Sequence, residues 1–116
     1  MSKSDLIRLR HMLEAATEAV KFAQDHSRSD LSQNPVWALG LVKCLEMVGE
    51  AAARISLEAK AECPHIPWAP IVAMRNRLVH VYFDVDFDQI WKALTDDLPP
   101  LITQLAKILD AADANG

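Results

Sequence analysis

Residues 34–56 read NPVWALGLVKCLEMVGEAAARIS, and this stretch sets the architecture. Asn34 is placed to cap a helix, and Pro35 falls at the first helical position, where its missing N–H leaves no bond unmade. Leu41, Leu45, Val48, Ala52 and Ile55 recur every three to four residues and so line one helix face. Trp37, Val42 and Met47 carry apolar surface beyond that stripe. A helix apolar on more than one face packs against more than one neighbour. In a chain this small, a second subunit is one candidate for the extra neighbour.

The flanking sequence keeps the helical period. Before it, SDLIRLRHMLEAATEAVKFAQ is expected to form a helix capped by Ser4 or Asp5, with Leu6, Leu9, Leu13, Ala16, Val20 and Ala23 on one face. That helix should fade near His26, in the polar stretch DHSRSDLSQN. After it, Pro64 and Pro67 forbid a continuous helix through KAECPHIPWAPIVAM. Pro67 or Pro70 suits the first turn of a third helix carrying Ile71, Val72, Met74 and Leu78. Asp86 is a good cap for a short fourth helix with Phe87, Ile90, Trp91 and Leu94. Asp96 or Asp97 should cap a fifth, with Pro99 and Pro100 in its first turn and Leu101, Leu105, Ile108 and Leu109 facing inward. The expected fold is a single all-α domain over residues 1–116, an up-down bundle of four to five helices.

Composition narrows the function. Half of the 116 residues are apolar, enough for a real core, and only three are glycine. The net charge is −4 and no Lys/Arg run exceeds two residues, so the chain does not hold nucleic acid by bulk charge. Contact with RNA would have to be local, or a dimer would have to gather its few cations in one groove. Cys44 and Cys63 are too far apart for a CxxC, and no structural disulfide is expected. MSKSDLIRLR has no apolar core of a signal peptide, and no uncharged apolar run approaches the ~20 residues that span a bilayer. A soluble, cytoplasmic protein without a membrane partner is expected.

Several groupings invite a chemical reading. Asp84, Asp86 and Asp88 resemble the start of a calcium loop, but Gln89 and Thr95 stand where that loop needs Gly and Glu, so a turn plus a helix cap is the better reading. Cys63 and His65 have no second pair at zinc-site spacing, and no metal site or cofactor is expected. Neither cysteine has the electropositive surroundings of a nucleophile. Glu46 and Glu50 share a helix face; Glu50 is either a partly exposed carboxylate or an acceptor for an arginine or histidine from another helix.

The remaining grouping is RNRLVHVY, residues 75–82. Arg75 and His80 are five apart, about 140° around a continuous helix, and do not share a face there. They meet most easily across two chains, or where the helix ends near His80. Asn76 and His80, four apart, do share a face. Arg77 and His80 also suit a helix C-terminus, where cations answer the macrodipole. That reading leaves the grouping of Asn76, His80 and Tyr82 unexplained.

These residues resemble the R-x4-H-x-Y signature of the HepT-like branch of the HEPN superfamily, whose members are toxins paired with a small MNT-type nucleotidyltransferase antitoxin. The similarity extends through LEMVGEAAARIS and through CPHIPWAPIVAMRNRLVHVYFDVDFDQIWKALTDDLPPL, roughly residues 40–105. A bare R-x4-H is a weak signal; the long framed pattern is a strong one. The resemblance implies a helical bundle that forms a homodimer, and a metal-independent endoribonuclease acting on RNA. It also implies that Tyr82 is the acceptor of AMP from the cognate transferase. Val81 departs from the charged or polar residue common at that position.

Metal-free RNA cleavage uses the neighbouring 2′-OH as nucleophile. It needs a base, an acid and a cation on the phosphate. Histidine serves as base or acid near neutral pH, and an arginine fork matches two phosphate oxygens. Arg75 and His80 are therefore the candidate catalytic residues, with Asn76, Arg77 and Glu50 in support and Tyr82 as the modification site. The competing reading is a non-catalytic dimeric adaptor or substrate-binding partner of the transferase, which the acidic charge favours.

Overall fold

A computed structural model describes residues 1–81 and 84–115, the side chains of 75, 79–81 and 115 excepted. The helices are α1 (Lys3–Ala23), α2 (Ser29–Gln33), α3 (Pro35–Ala53), α4 (Leu57–Glu62), α5 (Trp68–Leu78), α6 (Phe87–Lys92) and α7 (Leu98–Asn115). Two short strands, β1 (Val79–Val81) and β2 (Asp84–Val85), pair antiparallel between α5 and α6. The five expected helices are α1, α3, α5, α6 and α7; α2 and α4 are additional short ones. The four long helices pack in the order α5, α3, α1, α7, so α3 sits between α1 and α5. The fold is all-α, and the β1–β2 ladder is its one departure among the described residues.

Local chemistry explains α3 directly. Asn34 accepts from the Trp37 amide and Pro35 occupies the first turn. Leu41, Leu45, Val48, Ala52 and Ile55 are all buried, as their spacing requires. Gly49 faces α5: a Cβ there would lie 3.2 Å from the Ile71 carbonyl oxygen, so the missing side chain is what lets α5 lie this close.

Helix α1 differs from expectation at both its start and its face. Ser2, not Ser4 or Asp5, is the cap, accepting from the Asp5 amide at 3.1 Å. Asp5 is buried and serves another helix: it accepts from the Ser56 amide at 2.9 Å and from its hydroxyl at 2.7 Å, while Ser56 caps α4. The core face is Leu9, Met12, Ala15, Ala16 and Ala19, and Leu6, Leu13, Val20 and Ala23 are only half-buried. Because α1 packs on both α3 and α7, its most buried line runs between them, where alanines permit close approach.

The polar stretch after α1 is also more ordered than its composition suggests. Leu31 is fully buried and pins α2, and Asp30 accepts from the Ser27 amide.

The start of α7 is a further correction. Neither Asp96 nor Asp97 caps it. Helix α6 runs through a π-turn, residues Ala93–Asp97, directly into α7. The Leu98 amide bonds to the Ala93 carbonyl, five residues back. Pro99 and Pro100 have no N–H to donate and would crowd carbonyls one α-turn earlier; the wider π-turn accommodates them without breaking the helix.

Candidate active site

The motif lies at the C-terminal end of α5, whose start is fixed by the CPHIPW segment. Cys63 and Ile66 are buried there, and the Trp68 indole N–H donates to the Cys63 carbonyl at 3.0 Å. Pro67 precedes the helix and Pro70 lies in its first turn. Ile71, Met74 and Leu78 face the core, which turns position 76 and Arg77 outward; Asn76 and Arg77 are both exposed.

Helix α5 stops at Leu78, two residues before His80. The backbone then becomes extended: Val79 pairs with Val85 and Val81 with Asp84, with an irregular register between them. The Asp86 amide donates to the Leu78 carbonyl at 2.6 Å, so the two ends of the segment are joined. Asp86 also caps α6 by accepting from the Gln89 amide at 3.1 Å. His80 is thus on a strand, and the angle of a continuous helix does not govern its relation to Arg75. Of the two arrangements open from spacing, the helix end is present in a single chain. The side chains of Arg75 and His80 lie outside the described residues, as does Tyr82.

Arg77 goes elsewhere. Positions 75 and 77 are about 160° apart around α5. The Arg77 guanidinium reaches back along its own helix to donate to the Pro70 carbonyl at 2.5 Å, and it lines a cleft of about 370 Å³ between α5 and α7. Glu50 is exposed on α3, next to the Gly49 contact with α5, and has no partner among the described residues.

The other groupings resolve simply. Asp88 pairs with Arg28 at 2.5 Å, Asp86 caps α6 and Asp84 is in β2, so the D-x-D-x-D run is a turn and a cap. Burial pushes both thiols above their ordinary pKa, Glu18 adding to the effect at Cys44 and Glu62 at Cys63, the opposite of what a nucleophilic cysteine needs. No group of three or more potential metal ligands occurs among the described residues, and none of the described helices is long and apolar enough to cross a membrane.

A family model described as ribonuclease HepT-like matches residues 12–108, from the middle of α1 to near the end of α7. The chain belongs to this family. A Methanocaldococcus jannaschii protein named as a "putative RNase" is 31% identical over 102 residues, 87% of this chain and 94% of its own length. A Caldanaerobacter subterraneus subsp. tengcongensis protein, also named a "putative RNase", is 31% identical over 87% of this chain and 90% of its own. A Thermococcus cleftensis protein named "probable ribonuclease HepT" is 31% identical over 83% of this chain and 91% of its own. No solved structure matches. The HepT-like match takes in all of α2 to α6 and every candidate residue, so the motif sits within the shared domain.

Proposed function

We propose that this HepT-like chain is a metal-independent endoribonuclease, the toxin of a toxin–antitoxin pair resembling types II and VII. The observation that carries the reading is the family match across residues 12–108, which encloses an intact R-x4-H-x-Y run. The names of the relatives support RNA as the substrate. The end of α5 at Leu78 supports a site built where helix gives way to strand.

In the proposed reaction a 2′-hydroxyl attacks the adjacent phosphorus and the 5′-oxygen leaves, giving a 2′,3′-cyclic phosphate. One chain supplies one motif histidine, so the acid and the base come from two protomers: His80 of one takes the 2′-OH proton and His80 of the other protonates the leaving oxygen. Arg75 holds the charge that builds on the phosphate, and Asn76 orients the imidazole or the phosphate. Glu50 is the candidate acceptor that steadies one of these side chains. The protein acts as a homodimer, and a wild-type/His80→Ala mixed dimer should lose far more than half the activity.

Silencing would follow from transfer of AMP to Tyr82 by a cognate MNT-type nucleotidyltransferase. Tyr82 is two residues from His80, and the adduct would place a negative phosphodiester beside the phosphate site. His80→Ala should lower RNA cleavage by ~10²–10⁴-fold in folded protein. Tyr82→Phe should retain cleavage and escape the transferase. Full cleavage by purified His80→Ala would end this mechanism. No cleavage by the purified wild type would leave the non-catalytic adaptor, which the net charge of −4 favours.

A further inference from the structure

We propose that the cleft between α5 and α7 binds a guanine nucleotide. The bundle is open on this side: α5 packs on α3 and α6, α7 packs on α1 and the π-turn, and α5 and α7 have no comparable packing on each other. The resulting cleft, about 370 Å³, has the size of a small-molecule site. Its floor is apolar, formed by Val48, Ile71, Met74 and Leu101. Its rim carries both signs of charge, with Arg77 from α5 and Lys92, Asp96 and Asp97 from the π-turn region. An apolar floor takes the face of a base, the cations take a phosphate, and the carboxylates read the edge of the base.

The rim chemistry selects the base. Asp97 is engaged by Lys92 at 3.7 Å. Thr95 has a single hydroxyl proton, and its contact with the Trp91 carbonyl at 2.9 Å is shorter than that with Asp96 at 3.2 Å. Asp96 is therefore the better placed reader. A carboxylate only accepts hydrogen bonds and is matched by two adjacent donors. Guanine offers them, a ring N–H beside an amino group. Uracil offers one N–H flanked by two carbonyl oxygens that repel the carboxylate. Adenine and cytosine pair their amino group with a ring acceptor. Arg77 gives one donor to the Pro70 carbonyl and has four more for phosphate.

The nucleotide has two possible sources: a residue of the RNA substrate, which rests on the ribonuclease reading above, or a free guanine nucleotide. Methyl NMR on the intact protein tests the site without relying on cleavage. Guanosine 5′-monophosphate should shift the methyls of Ile71, Met74 and Leu101, and uridine 5′-monophosphate should bind about tenfold more weakly. Asp96 is exposed, so Asp96→Asn should fold normally and bring the guanosine affinity down to the uridine level. Arg77→Ala should weaken both nucleotides. Tighter binding of a guanosine-containing trinucleotide than of the monophosphate would assign the site to RNA; the reverse order would assign it to a free nucleotide. Unmoved methyls at millimolar guanosine monophosphate, or equal affinity for the two nucleotides, would overturn the proposal. Nucleotide binding without RNA cleavage would instead count against the ribonuclease reading alone, and cleavage without shifts in the cleft would count against this site alone.

Discussion

Asp5 ties the first helix to a segment fifty-one residues away through Ser56. The Ser56 amide, then its hydroxyl, holds the carboxylate below its ordinary pKa, with Ser2 contributing, while burial opposes the shift. A depressed folded pKa gives stability that is complete above the ordinary carboxylate range and is lost as pH falls through the folded value. Asp5→Asn should therefore lower Tm at neutral pH, and the gap from wild type should close in strong acid; a pH series of thermal melts measures it. The two internal glycines separate conformational freedom from close approach. A Cβ at Gly40 would meet nothing within 4 Å, so Gly40→Ala should stabilise α3 by about 0.5–1 kcal/mol. At Gly49 the same substitution meets the Ile71 carbonyl at 3.2 Å, and the displaced α5 should outweigh the propensity gain, for a net loss of about 1 kcal/mol in urea unfolding. Residues whose partners lie within one turn are legible in the sequence: Asn34 with Trp37, and Asp86 with Gln89. The role of Asp5 is not, because its partner is distant in the chain.

Among the elements, α5 shows what local pattern reveals and what it leaves hidden. Its apolar residues Ile71, Met74 and Leu78 and its prolines mark the helix clearly. Its end at Leu78 depends on a bond from Asp86 across seven intervening residues and on pairing with Asp84–Val85, which no helical period reveals. The π-turn is similar: Asp96, Asp97 and two prolines resemble a new helix start, and only the packing of α6 and α7 as one run decides otherwise. On α1, placing the buried line requires knowing that two helices flank it. Asp86 joins the β1–β2 ladder to α6. Asp86→Ala should cost about 0.5–2 kcal/mol in denaturant unfolding through the lost cap, and Asp86→Asn, which also caps, much less.

At the scale of the whole molecule, a charge of −4 must coexist with an anionic substrate. If binding rests on Arg75 and Arg77 from two protomers, the log–log salt dependence of RNA affinity should have a slope of only about −3. Titration of His80→Ala against single-stranded RNA at several salt concentrations measures it, and a much steeper slope would require cations beyond these four. The bundle itself gives the site a fixed frame: its core closes at Leu78 and resumes at Ile90, and the family match spans both sides. Between these points the chain departs at Leu78 and is hydrogen-bonded back to the same place at Asp86. The motif strand therefore leaves the bundle and rejoins it at a single point, so a change at either Leu78 or Asp86 is felt at both ends of the segment.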